Sequence, residues 1–398
     1  MRPISETLAL AERIGPTVGV TRVTDTTRLD RIGVPVFAAV RPSALPGSLC
    51  VSAGKGLTPD EARIGAYMEA IELAYAEPGR SAAAVREARV AELLNGEQVE
   101  ELIPLLPLDP ARPLPCVAAE EISTGARLLV PAERALFPLL ARHGGGLYGS
   151  DSNGICSGNT LEEATLHGLS EVIERDIAAF SGPLGEHSAN VRLSSLPTPL
   201  LELCARITAL GFQIYLRYAE NVFGLPFFSA ILIEPDVDFA LHRGEACHVL
   251  ARVSATRALT EAIQSRLTDI HGGRDDLAFH RYHQRPGSIS DDERRTWMRQ
   301  LGEWLSAPCR TIDFAEVPDL NTRADSIADA TAVLIERLAA QGLRRVLRVA
   351  HTAPDSPLQV CRILVPGLEC GLSSVQRVGA RLKRHQEHAA ALRRTDAV

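Results

Sequence analysis

The amino-acid sequence predicts a mixed α/β (α+β) fold in which helices pack on mixed sheets. Apolar patterns typical of strands, over residues 34–40 and 116–130, indicate that the chain begins with sheet structure. Helical and strand patterns then alternate along the rest of the chain. The 398 residues, with 45% hydrophobic content, are enough to bury at least one large core.

Periodicity and capping signals place the individual elements. They predict helices over 59–77, 161–180 and 198–210, and a further helical face within 250–267. Predicted strands cover residues 34–40, 116–120, 127–130, 213–218, 227–233, 310–314, 345–350 and 359–365. A helix ending at Gly342 separates two of these strands, so we expect a right-handed βαβ crossover there.

We expect one domain over residues 1–372 and a helical tail over 373–398. The parts of the domain are an N-terminal part (about 15–145), a set of central helices (about 146–270) and a C-terminal α/β part (about 300–372). A stretch rich in proline, glycine and aspartate over 271–292 is expected to be an exposed loop. The tail is expected to be a solvated helix without a catalytic role.

Composition argues against several classes of protein. The net charge of −7 disfavours a general nucleic-acid surface, which needs a clustered basic field. Apolar runs fall far short of the roughly 20 residues that cross a bilayer, and the N-terminus lacks a signal peptide. The eight cysteines show no zinc or redox spacing, which favours free, buried thiols. We therefore expect a cytoplasmic protein that binds neither membrane nor nucleic acid.

The helix predicted over 161–180 carries an acidic stripe. It begins with a capping box, so its positive dipole end can receive an anion. Its polar residues recur at helical spacing and stay within roughly 80° of arc: Glu163, His167, Glu171 and Glu174. The stripe is either a solvated face neutralised by Arg175 or a cation-binding surface.

A second predicted helix, over 59–77, repeats this arrangement. Its capping box, with proline at the first helical position, leads into Glu69 and Glu72 one turn apart. Carboxylate oxygens at this spacing suit Mg²⁺, which keeps waters and bridges a few acids to phosphates. Two acidic helices facing one another would form a cage for Mg²⁺.

Two further features allow a nucleotide site. Arg257 and Glu261 lie four residues apart with Gln264 on the same face, although alone this is an ordinary salt bridge. Upstream, the segment from Ser52 to Lys55 and the following glycine could form a backbone nest for phosphate. Its spacing is not that of a Walker A loop. Spacing alone leaves the nucleotide site and its absence equally open.

Four segments, in this order, resemble the YcaO family closely: SAGKG, EAIELAYAE, SNGICSGNTLEEATLHGLSEVIERD and RALTEAIQSR. The resemblance extends from about Thr21 to Glu369. It implies a YcaO-type fold with an ATP site that lacks a P-loop, in which several glutamates bind Mg²⁺ beneath the triphosphate. ATP and Mg²⁺ are the cofactors it implies.

The resemblance also implies roles for individual residues. Its implied metal ligands are Glu69, Glu72, Glu163, Glu171, Glu174 and Glu261. Its implied ATP contacts are Ser52, Lys55, Asn159, Arg175 and Arg257. No side-chain nucleophile is implied, so charge stabilisation falls to Mg²⁺ and Arg257. Cys156, inside the longest motif, departs from the hydroxyl or alanine residue expected there.

Members of this family phosphorylate the oxygen of a peptide amide after a nucleophile adds to its carbonyl. Loss of phosphate then gives an azoline, a thioamide or an amidine. Amide oxygen is a very poor leaving group until it carries phosphate, so such an enzyme mainly positions its substrates and neutralises charge.

Departures from the family pattern narrow the subtype. Heterocycle-forming members typically end in a proline-rich tail, whereas this chain ends RRTDAV. The pair Glu72-Leu73 replaces the Glu-Arg of many members and resembles those that work with a TfuA partner. We therefore expect thioamide rather than azoline formation, with a precursor peptide or protein as substrate, a TfuA-like partner, a sulfur donor and a homodimeric enzyme.

Two other classes remain as alternatives. A catalytically silent YcaO-like scaffold would dock a precursor peptide for a partner enzyme, but the complete set of glutamates argues against it. A carboxylate-rich metal hydrolase would leave the SAGKG segment and the order of the motifs unexplained.

Overall fold

The computed structural model describes most of the chain, with gaps. The described residues are 2–139, 146–181, 188–234, 241–274, 290, 292–293, 295–296, 299–300, 309–370 and 377–395. Their strands form three sheets, on which helices pack. The mixed α/β arrangement predicted from the sequence is therefore confirmed. Most of the loop predicted over 271–292 lies outside the described residues.

The strands belong to a three-stranded, a five-stranded and a six-stranded sheet. In chain order they are β1 Arg22–Asp25, β2 Val36–Val40, β3 Val51–Lys55, β4 Arg86–Arg89, β5 Pro113–Glu121, β6 Arg127–Pro131, β7 Ile155–Gly158, β8 Ser188–Val191, β9 Gln213–Ala219, β10 Phe227–Ile233, β11 Leu241–Cys247, β12 Thr311–Ile312, β13 Leu347–Ala350 and β14 Gln359–Leu364. Their orders are β1-β2-β3, β11-β10-β9-β8-β12 and β4-β5-β13-β14-β7, with β6 paired to β5. Consequently β3, β7 and β11 each lie at the edge of a sheet.

Three of the helices follow their predicted boundaries closely. The helices are α1 Ile4–Ile14, α2 Pro59–Ala76, α3 Ala132–Ala135, α4 Leu161–Ser181, α5 Thr198–Ala209, α6 Ala251–His271, α7 Ile327–Ala340 and α8 Ala380–Thr395. The ends predicted for α2, α4 and α5 agree with these within one residue, since their caps and apolar stripes are local signals. In contrast, α1 and α3 were not predicted, and α6 extends four residues beyond its predicted face. The predicted capping box forms at Thr58. At Thr160 the hydroxyl accepts the Glu163 N–H as predicted, but the Glu163 carboxylate accepts from the N–H of Asn159 rather than from that of Thr160.

Apolar side chains of α4 place this helix in the interior. Leu169, Ile173 and Ile177 pack with Cys361 and Ile363 of β14 in one buried cluster, which also includes residues of α7. The five-stranded sheet packs separately against α5 and α6. Because its apolar face is buried, α4 directs its acidic stripe away from this core.

The predicted phosphate-binding nest at the SAGKG segment is wrong. Ser52 to Lys55 lie within β3 and pair antiparallel with β2, so their backbone is extended and cannot form a nest. Gly54 instead allows α2 to pack closely against β3. A Cβ atom at this position would come within 2.0 Å of backbone atoms of Ala62 and Ala66 in α2, so only glycine permits the crossing.

The same kind of crossing joins β11 to α6. A Cβ atom on Gly244 would lie 2.3 Å from backbone atoms of Ala258 and Ala262. Edge strands β3 and β11 are thus each pressed directly onto a helix that carries site residues, α2 and α6 respectively.

The predicted βαβ crossover near the C-terminus is also wrong. The short strand β12 pairs in parallel with β8 of the five-stranded sheet. Strands β13 and β14 instead pair antiparallel in the six-stranded sheet, so α7 connects two different sheets. The apolar pattern locates strands and helices, but it does not state which sheet a strand joins.

Candidate active site

The candidate site lies where the edges of the three sheets meet helices α2, α4 and α6. An edge strand leaves every second backbone N–H without a partner in its sheet. Here glutamate carboxylates accept hydrogen bonds from these groups, on β3, at and just after β7, and on β11. Except for Glu261, which pairs with Lys55, the predicted metal ligands are therefore fixed to backbone rather than free on a helix surface.

At the edge of β3, the backbone of Ala53 joins two helices. Its N–H donates to Glu69 Oε2 of α2 at 2.7 Å, and its carbonyl accepts from Gln264 Nε2 of α6 at 2.6 Å. Two residues further on, Lys55 Nζ lies 2.8 Å from Glu261 Oε2. The three motifs that are far apart in sequence thus begin to converge here.

At the edge of β7, two carboxylates take the free N–H groups. Glu72 Oε1 accepts from the Ser157 N–H at 2.9 Å and from its hydroxyl at 2.5 Å. Glu163 Oε2 accepts from both the backbone N–H and the Nδ2 of Asn159, at 2.8 and 3.0 Å. Asn159 therefore holds the first acid of the α4 stripe.

Further along α4, the stripe reaches the third edge. Glu171 accepts from the N–H of Gly154 and from the Cys156 thiol, both at 3.3 Å. Glu174 Oε2 accepts from the N–H of Cys247 in β11 at 3.2 Å. The thiol of Cys156 thus takes part as a hydrogen-bond donor, and burial raises its pKa well above the ordinary value, so it is not a nucleophile at neutral pH.

The enclosed carboxylates repel one another. Burial raises the pKa of Glu72 to about 8 and raises that of Glu69, and the negative charge of Glu171 raises both further. Burial likewise raises the pKa of Glu174, with added repulsion from Glu261 and Glu171. The acids of all three helices therefore share one electrostatic environment that favours a cation.

Cationic side chains lie among these carboxylates. The pKa of Arg175 is raised although burial acts to lower it, because the carboxylates of Glu174, Glu171 and Glu261 surround it. Burial and nearby Arg257 lower the pKa of His248 to about 4. This imidazole is therefore neutral at physiological pH, and Arg257 and Lys55 supply positive charge for an anionic ligand.

The donor set fits Mg²⁺. In Glu69, Glu72, Glu163 and Glu261, one carboxylate oxygen is bonded by the protein, and the other accepts no hydrogen bond from the described residues. Within those residues no three His, Cys, Asp or Glu side chains gather closely enough to hold a metal ion by themselves. This matches the coordination preference of Mg²⁺, which binds one or two carboxylates and completes its coordination shell with phosphate oxygens and water.

Sequence reasoning located most of these residues but missed the backbone N–H groups that hold the glutamates in place. The predicted ligands and Lys55, Asn159, Arg175 and Arg257 are brought to one region, whereas Ser52 is buried inside β3. The supporting N–H groups of Ala53, Ser157 and Cys247 carry no sequence signal, since any residue offers one. Only knowledge of which strands lie at edges would have found them.

Thr7 of α1 is a further residue that the sequence did not suggest. Its buried hydroxyl donates to Asn159 Oδ1 at 3.0 Å, which orients the amide whose Nδ2 holds Glu163. We expect Thr7→Val to weaken binding of a Mg²⁺-ATP analogue about fivefold, the effect of one hydrogen bond of about 1 kcal/mol. Calorimetric titration measures this, with Thr17→Val as control, because Thr17 is exposed and its hydroxyl donates to the Ile14 carbonyl rather than to a site residue. Equal affinity of both variants would exclude this role.

Glutamates held at three strand edges, with arginine and lysine side chains among them, make up the candidate site. Comparison with known proteins identifies the family to which the chain belongs. A family model described as YcaO cyclodehydratase, ATP- and Mg²⁺-binding, matches residues 53–369. An uncharacterized protein of Methanothermobacter thermautotrophicus is 35% identical over 395 residues, covering 96% of this chain and 98% of that protein. A Rhizobium leguminosarum bv. trifolii protein named for the tfuA 3′ region is 30% identical over 369 residues, covering 89% and 85%.

A solved structure adds the fold. YcaO from Methanopyrus kandleri, bound with AMPPCP and Mg²⁺, superposes with a TM-score of 0.72 at 23% identity, covering 95% of this chain and 94% of that one. The chain belongs to the YcaO cyclodehydratase family, whose members bind ATP and Mg²⁺. The predicted family, fold class, cofactors and enzymatic nature are thereby confirmed. No helix among the described residues is long and apolar enough to span a membrane.

Proposed function

We propose that this protein uses ATP and Mg²⁺ to activate a backbone amide of a peptide by phosphorylating its oxygen, and that a thioamide results. The observation that carries the proposal is the convergence of glutamates from three helices in one region, where Lys55 is bonded to Glu261, Arg175 lies among the carboxylates and Arg257 is nearby. Such a site suits a triphosphate bridged to the protein by metal ions.

The glutamates form two sets, which would bind separate Mg²⁺ ions along the triphosphate. Glu69 and Glu72 of α2 stand together near Glu171, while Glu174 stands near Glu261 of α6, as their mutual effects on pKa indicate. These two separate sets of carboxylates would hold more than one Mg²⁺, and each Mg²⁺ would also bind phosphate oxygens. Arg257 and Arg175 would neutralise the remaining charge. Ser52, being buried, would act through its strand rather than by direct contact.

Thioamide formation is preferred over azoline formation for two reasons. The relative from Rhizobium leguminosarum is named for its position beside tfuA, which supports a TfuA-like partner and a sulfur donor. The second reason is the Glu72-Leu73 pair, which resembles members of that type. In the net reaction the amide oxygen leaves as phosphate and hydrosulfide supplies the new C=S sulfur, with ADP as the other product. We also propose that this protein acts as a homodimer.

Isotope transfer tests the chemistry. With a synthetic peptide that carries heavy oxygen at the modified carbonyl, we expect one labelled phosphate and one ADP for each thioamide formed. The label must appear in phosphate because the amide C–O bond breaks after phosphorylation. Mass spectrometry of phosphate and peptide measures both products.

Two controls make the outcome decisive. Without peptide, ADP should form only at the background rate, and Glu162→Gln, which changes an exposed acid on α4, should behave as the unmodified chain. Release of pyrophosphate with label in AMP would contradict amide phosphorylation. An azoline product would contradict the thioamide while leaving the phosphorylation step in place.

A further inference from the structure

Asp176 of α4 is a buried carboxylate that the reaction does not use. It lies two residues beyond Glu174, so helical spacing turns it to the side opposite the acidic stripe, and it is 1% exposed. Its oxygens accept from the Glu369 N–H at 2.8 Å and from two nitrogens of Arg381 at 2.6 and 3.3 Å. Arg381 belongs to α8, so the C-terminal helix is bonded directly to α4.

The beginning of α8 is docked rather than solvated, contrary to the expectation for the tail. The Glu369 carboxylate accepts from the N–H groups of Gly379 and Leu382 at 2.6 and 3.0 Å, which caps the helix. The Arg381 guanidinium also lies 4.9 Å from the ring of Phe180, in the last turn of α4. Residues from Lys383 to His388 are exposed, so only the first turn is integrated.

A second contact joins the same segment to the other end of the site. Arg377 is buried, donates to the carbonyl of Tyr148 at 2.8 Å and pairs with Asp151. The same Asp151 carboxylate accepts the N–H of Asn153 at 3.0 Å, and the next N–H, of Gly154, donates to Glu171. The segment from Arg377 to Arg381 therefore contacts Asp151, which holds the residue next to the Glu171 support Gly154, and contacts Asp176, two residues beyond Glu174 on α4.

We propose that α8 is a clamp that sets the rotation of α4 about its axis, with Asp176 and Arg381 as positioning residues for Glu174 and Arg175. A helix fixed on its rear face cannot turn, so its front carboxylates stay aimed at Mg²⁺-ATP. Misplacement of a reacting group by 1 Å costs on the order of 10²-fold in rate, so a small rotation matters. The clamp lies beyond residue 369, where the family match ends, and it rests on the assignment of Glu174 to the proposed site.

Binding of Mg²⁺-AMPPCP, followed by calorimetric titration of the full chain, separates positioning from simple stabilisation. We expect Asp176→Asn and Arg381→Ala each to weaken binding about tenfold, and the double variant no further, since the two residues act as a pair. Methylguanidinium at millimolar concentration should restore affinity to Arg381→Ala, because it refills the vacated contact, but not to Asp176→Asn. Arg384→Ala, an exposed arginine on the same helix, serves as the matched control.

Two outcomes would overturn the clamp. If Glu174→Gln weakens binding while Asp176→Asn and Arg381→Ala retain full affinity and only unfold at lower urea, α8 merely stabilises the fold. If Glu174→Gln itself leaves Mg²⁺-AMPPCP binding unchanged, the assignment of the site fails, and the clamp fails with it. Arg381→Lys keeps the charge and should lie between Arg381→Ala and the unmodified chain in affinity.

Discussion

Glu171→Gln and Glu174→Gln are each expected to lower ATP-dependent turnover by about 10³-fold, the scale seen when one charge-stabilising group is removed from an active site. Glutamine keeps the shape of the side chain and can still accept the N–H of Gly154 or Cys247. What it loses is the negative charge that binds the cation. The steady-state rate of ADP formation with peptide present measures the effect.

The stability of these variants distinguishes a functional acid from a structural salt bridge. Burial raises the pKa of Glu174 to about 8, so at pH 7 this carboxyl takes up a proton on folding at a cost in stability, and glutamine removes that cost. We therefore expect metal-free Glu174→Gln to unfold at the same or a higher temperature than the unmodified chain. Marked loss of stability together with loss of activity would instead indicate that the pair with Arg175 is structural.

Addition of Mg²⁺-ATP is expected to raise the unfolding temperature, whereas ATP in EDTA is not. A ligand at 100 times its dissociation constant stabilises the folded state by about 2.7 kcal/mol, which corresponds to roughly 3 °C for a chain of this size. Without metal, the triphosphate would face the carboxylates of Glu69, Glu72 and Glu174 directly. Differential scanning calorimetry with MgCl₂ alone as control measures the shift. Equal stabilisation by ATP in EDTA would exclude metal bridging.

This binding should also depend on pH in a defined direction. Because the pKa of Glu72 is raised to about 8, this carboxyl holds a proton at pH 7 in the metal-free protein and must release it when Mg²⁺ binds. Affinity for Mg²⁺-AMPPCP should therefore fall between pH 8.5 and pH 6.5, and binding at pH 7 should release protons. Titrations in buffers of different ionisation enthalpy detect that release. A pH-independent affinity over this range would contradict the role of Glu72.

Local signals in the sequence were reliable because they describe local structure. The caps and apolar stripes of α2 and α4 predicted both helices and placed Glu69 and Glu72, and the stripe from Glu163 to Glu174, on single faces. The SAGKG segment misled for a related reason. Its glycines suggest a turn, but Gly54 is needed because the backbone of α2 touches the strand. That contact exists only in the folded structure, where the strand and the helix pack together.

The sequence by itself determined the family, the fold class and the acids of the site, because these depend on residue identity and on spacing within one helix. Only the tertiary structure decided how the acids are held: five of the six take a backbone N–H, as Glu69 does at Ala53 and Glu174 does at Cys247, and Glu261 pairs with Lys55. It also decided that the tail is bonded to Asp176. Strand order and helix docking are set by the global packing of distant segments, and backbone donors are the same for every residue, so no pattern along the chain records them.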